Sequence, residues 1–379
     1  MQSFTFLIHN IYYIGGTTRA VINLANTLSE RGHHVTLLTV FKSKASPAYD
    51  VNENINIECI IDYSNKFNFV PLIMNRVNKY TSLLSPKFIH RDEPGLNQFS
   101  SYIERKIIKA IQSVDTDYIV GTRATYNFLI ADFSKTTSIG MEHMHFNAHP
   151  KRMQQLIKSK YIKLDFITTL TDEDRDVYAL FHHNVFTLPN IIQDVTFNRN
   201  ETNIIASLGR FEYEKGFDLL IESVSHIAES LRKLNFKVNI YGEGSEHHRL
   251  REYIHNYELE DIITLYPMTH DVTPIYNSSM IVAIPSRSEG FGMVILEAMQ
   301  AGCNIVSFNA PMGPRTLLNE QNAIVVDCFN TNLFSEAILT LIENPKLRHQ
   351  LKQGGYDTVK QYSKDAVYKI IEEALLTKK

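Results

Sequence analysis

Short apolar runs bounded by turn residues alternate along most of this chain with longer amphipathic segments, the pattern left by parallel sheets with crossover helices. In the first half, Phe4 to His9, Val35 to Phe41, Ile55 to Ile61, Tyr118 to Gly121 and Thr137 to Met141 read as strands. Between the first two, Arg19 to Arg31 carries the helical period, with Val21, Leu24, Ala25 and Leu28 on one face and Gly32 closing the end. A second alternation begins near residue 203: NIIASLGR, a helix from Phe217, KVNIYGEG, a helix over His247 to Tyr257, ITLYP and SMIVAIPSR. Separating the two series, Pro189 and the polar run Gln193 to Thr202 form the natural linker. The pattern therefore predicts an α/β protein with one domain over 1–195 and another over 196–360. The tail, from Leu333 onward, reads as helices broken at Pro345 and around Gly354 and Gly355, with 361–379 packing back on the first domain.

Composition narrows the function. A chain of 379 residues with 44% hydrophobic content can bury two ordinary cores. Lys plus Arg number 38 against 41 for Asp plus Glu, a net charge of -3, so no global field draws in nucleic acid. Cys59, Cys303 and Cys328 lack any zinc-type spacing and fit a reduced cytosol. The opening MQSFTFLIHNIYYIGG has no basic leader and runs into a glycine turn, so it reads as a first strand. No window approaches the roughly 18 apolar residues of a spanning helix. A cytoplasmic protein is expected, with any membrane contact peripheral, at the inner face of the cell membrane. One region, 66–109, departs from the average: Lys66, Arg76, Lys79, Lys87, Arg91, Arg105, Lys106 and Lys109 face only Asp92, Glu93 and Glu104. It reads either as a solvated helical insertion or as an electrostatic seat for an anionic polymer or an acidic membrane surface.

The most informative run is PSRSEGFGMVILEAMQAG, residues 285 to 302, which joins a strand end, a glycine-flexed turn and an immediate helix. Gly290 and Gly292 remove side chains, so the backbone N–H groups of Phe291, Gly292 and Met293 can approach a phosphate at the positive end of the helix dipole. Glu289 precedes that helix and Glu297 lies inside it, placing two carboxylates where they can accept from hydroxyls on either side of a bound phosphate.

These residues resemble the donor-site signature of the retaining GT-B glycosyltransferases of the GT4 type, also called glycosyltransferase group 1. The resemblance extends over nearly the whole chain: to Leu208-Gly-Arg-Phe-Glu-Tyr-Glu-Lys215, to Tyr241-Gly-Glu-Gly244, to Gly15-Gly16 after the first strand, and to Arg31-Gly-His-His-Val. It implies two Rossmann-like doubly wound domains facing across a cleft. It implies a nucleotide-diphosphate sugar as donor, a UDP-hexose by family habit, with Arg210 and Lys215 on the diphosphate and Gly16, Gly242 and Gly244 close to the donor. His143, two residues after Met141, matches the histidine that family members carry beside the donor sugar; a two-residue slip would make it His145. Retention, as the resemblance implies, needs either a covalent intermediate or same-face attack assisted by the leaving phosphate; the second is expected, with Glu289 gripping a sugar hydroxyl and no metal or other cofactor.

On the acceptor side the resemblance to polymer-directed members rests on Gly121-Thr-Arg123 followed by Glu142-His-Met. It implies that Arg123, Gly15, His145 and His149 lie towards an anionic polymer or lipid-linked acceptor, such as teichoic acid or capsule. Two departures stand out. Thr316 follows Arg315 where glutamate is usual, and Asn322-Ala323 replaces Asn-Gly, so nucleotide contacts there are not carried over.

Competing readings of the same residues are weaker. Asp115-Thr-Asp117 mimics a metal-binding D-x-D but precedes its strand, at the wrong end of a sheet; His143, His145 and His149 have no helical zinc-ligand period. A sugar-nucleotide epimerase would share the donor site, and a non-catalytic partner subunit would share only the fold. A nicotinamide dehydrogenase would need a G-x-G-x-x-G turn that the first strand lacks.

Overall fold

The β-branched and aromatic runs form strands, and the amphipathic segments form the helices between them, in two units of the computed structural model. It describes residues 1–65, 69–93, 95–269 and 271–376, so Lys66 of the basic region and the last residues of the tail, 377–379, lie outside the described residues. The first unit is Met1–Ile191 with Val367–Lys379, and the second is Ile192–Ala366.

The first unit runs β1 (Ser3–Ile8), α1 (Gly16–Glu30), β2 (His34–Lys42), β3 (Asn56–Asp62), α2 (Val70–Thr81), α3 (Ser101–Gln112), β4 (Tyr118–Gly121), α4 (Ala124–Phe133) and β5 (Thr137–Met141). It continues through α5 (Lys151–Lys160), β6 (Phe166–Thr169), α6 (Asp172–Ala179) and β7 (Val185–Thr187). The second unit runs β8 (Thr202–Leu208), α7 (Phe217–His226), α8 (Ala228–Lys233), β9 (Lys237–Tyr241), α9 (His247–Asn256), β10 (Ile263–Tyr266), α10 (Thr273–Ser278) and β11 (Ser279–Ile284). After these come α11 (Met293–Gln300), β12 (Asn304–Phe308), α12 (Gly313–Leu317), β13 (Ile324–Val326), α13 (Thr331–Glu343), α14 (Pro345–Lys360) and α15 (Lys364–Ile371).

Both sheets are parallel, in the orders β3-β2-β1-β4-β5-β6-β7 and β10-β9-β8-β11-β12-β13. In each, the chain winds one way from the first strand and then reverses to its other side, the Rossmann-like doubly wound topology. Parallel strands covered on both faces need near-continuous apolar runs, and β1 shows it, with Phe4, Phe6, Leu7 and Ile8 all at or below 2% exposure. Within the first unit, Val367, Ile371 and Leu375 of the returning tail join the cluster of Phe4, Phe6 and Leu24. Tyr118 Oη donates to the Leu375 carbonyl at 3.0 Å.

The tail corrects one expectation. Proline at its first turn starts α14, but the helix runs unbroken through Gly354 and Gly355. Those glycines serve close approach: a Cβ at Gly354 would lie 2.0 Å from the Gln321 carbonyl oxygen, and one at Gly355 would press on Met299.

Candidate functional site

In a doubly wound sheet the ligand crevice opens at the carboxyl ends of the two strands where the winding reverses, because their following loops depart in opposite directions. In the second unit those strands are β8 and β11. The loop after β8 carries Arg210 and Lys215, and the loop after β11 carries Ser286, Glu289 and Gly290.

These loops are locked by backbone contact. A Cβ on Gly242, after β9, would lie 1.9 Å from the Gly209 carbonyl oxygen, and Gly244, at φ +157°, would place one 2.4 Å from the Phe211 carbonyl oxygen. Both glycines are therefore demanded by packing, whatever they contact in addition. Gly216, at φ +65°, caps α7 and lies against the Pro285 carbonyl. The β8 loop is in this way clamped to the β11 loop.

Clamped so, Lys215 Nζ meets Glu289 Oε1 at 2.7 Å, and the same oxygen accepts from Ser286 Oγ at 2.7 Å. The lysine and glutamate side chains are 18% and 14% exposed, so the pair is only partly screened by water. Immediately after it, Gly292 at φ +85° caps α11 with no side-chain bond, and the first turn of that helix holds no acidic residue. A positive helix end thus stands beside a lysine and a carboxylate, which suits a ligand with both phosphate and hydroxyl groups. Phe291 is buried with its ring 5.6 Å from that of Tyr362, and Gly313 lets the following loop press on the Phe291 carbonyl.

Two predicted residues have partners of their own. Arg210 is 69% exposed and pairs with Glu214 at 2.9 Å. Glu297 is buried, and its Oε2 accepts from Tyr276 Oη at 3.0 Å. Ser286 was not singled out by sequence, although its place three residues before Glu289 put it in the same motif.

In the first unit the reversal lies between β1 and β4. Gly15 is the N-cap of α1 with no side-chain bond, and no acidic residue occupies that helix's first turn. A Cβ at Gly16 would meet nothing within 4 Å, so packing does not require glycine there. After β4, Arg123 pairs with the buried carboxylate of Glu93, which also accepts from Thr125 Oγ1. Burial pushes the Glu93 carboxyl up, against the pull of Arg123. His9, at the end of β1, bonds Tyr126 Oη through Nδ1 at 2.7 Å, and burial, together with the charge of Arg123, lowers it to about 4. Neither His9 nor Glu93 was found by motif reading; a polar residue directly after a first strand was the available signal for His9.

The strand end at Met141 leads into a buried polar network. Glu142 is 2% exposed; it accepts from Asn127 Nδ2 at 2.9 Å and from Tyr161 Oη, and lies 3.4 Å from His149 Nε2. Burial draws His149 down, but the bond to Glu142 and the charges of Glu142, Asp174 and Glu93 outweigh it and leave it raised. His145 Nδ1 accepts the Asn147 N–H at 3.0 Å, and its Nε2 lies 3.7 Å from Asp174. The Nε2 of His143 is also buried without a hydrogen-bond partner among the described residues, and here burial prevails, lowering the imidazole to about 4 despite the charge of Glu142. It is therefore a neutral imidazole at pH 7.

Asp117 is occupied structurally, its Oδ2 accepting from Ser3 N and Ser3 Oγ at 2.8 Å each, which ties β4 to β1. No cluster of His, Cys, Asp and Glu able to hold a metal ion occurs among the described residues. Nor is any helix among them long and apolar enough to cross a membrane.

Comparison with known proteins adds three findings. Residues 189–358 match the family model described as Glycosyl transferases group 1. The chain is 28% identical to an uncharacterized glycosyltransferase of Haemophilus influenzae, covering 98% of this chain and 99% of that one, and 23% identical to the amylovoran biosynthesis glycosyltransferase AmsD of Erwinia amylovora, covering 97% and 98%. It superposes on a crystal structure of a S. aureus TarM variant, in complex with Fondaparinux, alpha-GlcNAc-glycerol and UDP, with a TM-score of 0.77 at 16% identity over 99% of both chains. That last likeness establishes the fold.

Proposed function

The chain belongs to glycosyltransferase group 1, with the GT-B fold, and from that premise we propose that it moves a hexose-type sugar from a UDP-sugar to a hydroxyl of a cell-surface glycopolymer or its lipid-linked precursor, with retention and without a metal. The observation that carries this reading is the Lys215–Glu289 contact of 2.7 Å beside the uncapped start of α11. Cleaving the bond from an anomeric carbon to a diphosphate builds negative charge on the leaving group and positive character on the sugar. Lys215 and the N–H groups of Phe291, Gly292 and Met293 are the donors aimed at the first; Glu289 accepts from a sugar hydroxyl. Arg210 exchanges its surface partner Glu214 for the diphosphate. The acceptor hydroxyl attacks from the face that the diphosphate leaves, and its proton passes to a departing phosphate oxygen, so that no protein carboxylate need act as nucleophile. His143 is held neutral, and its Nε2, which has no hydrogen-bond partner among the described residues, can donate or accept one hydrogen bond.

UDP is the favoured nucleotide because the TarM structure was solved with UDP. An anionic acceptor is favoured by Arg123 beside the β4 end. The test is product analysis with UDP-hexoses, a polyol-phosphate acceptor and a chelator. The reading expects a new glycoside with the anomeric configuration of the donor, formed equally with and without chelator. An inverted product, or loss of turnover on chelation that a divalent metal restores, contradicts it.

A further inference from the structure

Helix α2 is turned inside out. Soluble helices face the core with their apolar stripe, yet only Pro71 of α2 is buried, and the side it presents to its own unit is held by asparagines. Asn75 Nδ2 donates to the Gln98 carbonyl at 2.8 Å, and Asn78 Nδ2 to the Phe99 carbonyl at 3.3 Å. Its outer side carries Leu72 at 54% exposure, Ile73 at 49% and Tyr80 at 74%, with Phe69 just before the helix and Leu83 just after it at 55% and 80%. At 3.6 residues per turn Phe69, Leu72, Ile73, Val77 and Tyr80 occupy an arc of roughly 140°. Leaving so large an apolar stripe in water is unfavourable, and such a stripe marks a surface that something else covers.

Charge identifies what covers it. From Tyr63 to Arg91 the sequence holds no Asp or Glu, whereas Arg76, Lys79, Lys87 and Arg91 all fall there. Arg76 lies within the apolar arc and Lys79 at its edge, where long cationic side chains can rise to a polar boundary while their stems remain in apolar surroundings. Beyond the end of the helix, buried Glu104 accepts the N–H groups of Lys87, Phe88 and Ile89 at 2.9, 2.6 and 2.9 Å, which pins the loop and holds Lys87 and Phe88 at the surface. Next to it is a cavity of about 620 Å³ lined in part by Lys79, Lys87, Arg91 and Lys160. The carboxylate in that lining, Asp132, is countered by Lys160 and by Lys163. A soluble acidic polymer would account for the cations but not for exposed leucine, isoleucine and tyrosine. A bilayer surface accounts for both.

We propose that α2 and the loop after it dock the first unit on an anionic phospholipid surface, the apolar arc entering the headgroup boundary and the cations meeting lipid phosphates, with the cavity receiving one headgroup. This surface is independent of the transfer reading, since vesicle partitioning is measured without a donor. The test is flotation of the full chain with phosphatidylcholine vesicles and with vesicles that also contain phosphatidylglycerol. The expected result is partitioning onto the anionic vesicles only, weakened by salt. Arg76→Gln with Lys79→Gln should reduce it by roughly thirtyfold, and Leu72→Ser with Ile73→Ser by roughly tenfold or more, both with wild-type melting temperatures because these side chains are exposed. Absence of wild-type binding to anionic vesicles, equal binding to neutral ones, or an unaffected Leu72→Ser/Ile73→Ser variant would overturn the proposal. So would capture by soluble dextran sulfate without vesicle binding, which would reassign the cations to an acidic polymer.

Discussion

The two units share a topology but build their carboxyl-edge sites by opposite means. The second unit gathers its charged groups from two short sequence runs, after β8 and β11, and leaves them at a partly open edge where Lys215 and Glu289 pair. The first unit gathers Glu142, Asn127, Tyr161, His149 and Asp174 from separate elements and buries them, and His143 Nε2 has no hydrogen-bond partner among the described residues. The charged cluster at the partly open edge is thus written in contiguous motif, whereas the buried polar cluster is distributed over the chain.

If that contrast is functional, damage to the second unit's site should show in turnover and damage to the first unit's network should show in pH response. The largest effect is expected from Lys215→Ala, which removes the cation proposed to meet the leaving group: kcat should fall by about 10²–10³-fold, with the melting temperature little changed. Steady-state kinetics with saturating acceptor measures it; a change confined to KM would move Lys215 out of the chemical step.

Next is acid stability. His143 and His9 are lowered from 6.5 to about 4 by burial. Because the unfolded chain takes up these protons first, stability is lost as pH falls from 6.5 towards 4, by about 3 kcal/mol for each histidine. The Asp174 carboxyl, raised by burial to about 6, runs the other way over the same window, so the informative quantity is the difference between proteins. Denaturant unfolding of wild type and His143→Gln at pH 7 and pH 4.5 should show a smaller acid loss in the variant. Parallel losses would mean that His143 is not held neutral.

Glycines in the two units should respond differently to an added methyl group. Gly242→Ala forces a Cβ against the Gly209 carbonyl and should cost about 1–3 kcal/mol. Gly16→Ala meets open space and should leave stability within about 0.5 kcal/mol while reducing transfer; a large stability loss there would show that Gly16 serves the fold alone. An effect on stability alone is expected at Asp117→Ala, which loses the Ser3 bonds for about 1 kcal/mol, with metal response and kcat unchanged.

Much of the fold was legible because parallel strands must be apolar runs and their helices must be amphipathic: the edges of β4 and β5 fall where Tyr118 to Gly121 and Thr137 to Met141 predict them. The Gly354-Gly355 pair misled, since glycine in a helix can mark close approach as readily as a stop, and only the neighbouring Gln321 backbone distinguishes them. Lys215 and Glu289 could be read from sequence since each sits in its own motif. Glu93 with Arg123 could not, because no local pattern links a loop carboxylate to a residue thirty positions away. The inverted face of α2 was hidden for a related reason: periodicity reveals a stripe but not whether it faces in or out.

The central claim is that Lys215, with the start of α11, holds a nucleoside diphosphate. Its most direct test is the thermal shift of wild type and Lys215→Ala with UDP, GDP and ADP as probes, since a ligand bound by the native state alone raises its melting temperature. UDP alone is expected to raise the wild-type midpoint, and the rise should be largely lost in Lys215→Ala. No rise with any nucleotide, or an equal rise in both proteins, would contradict it.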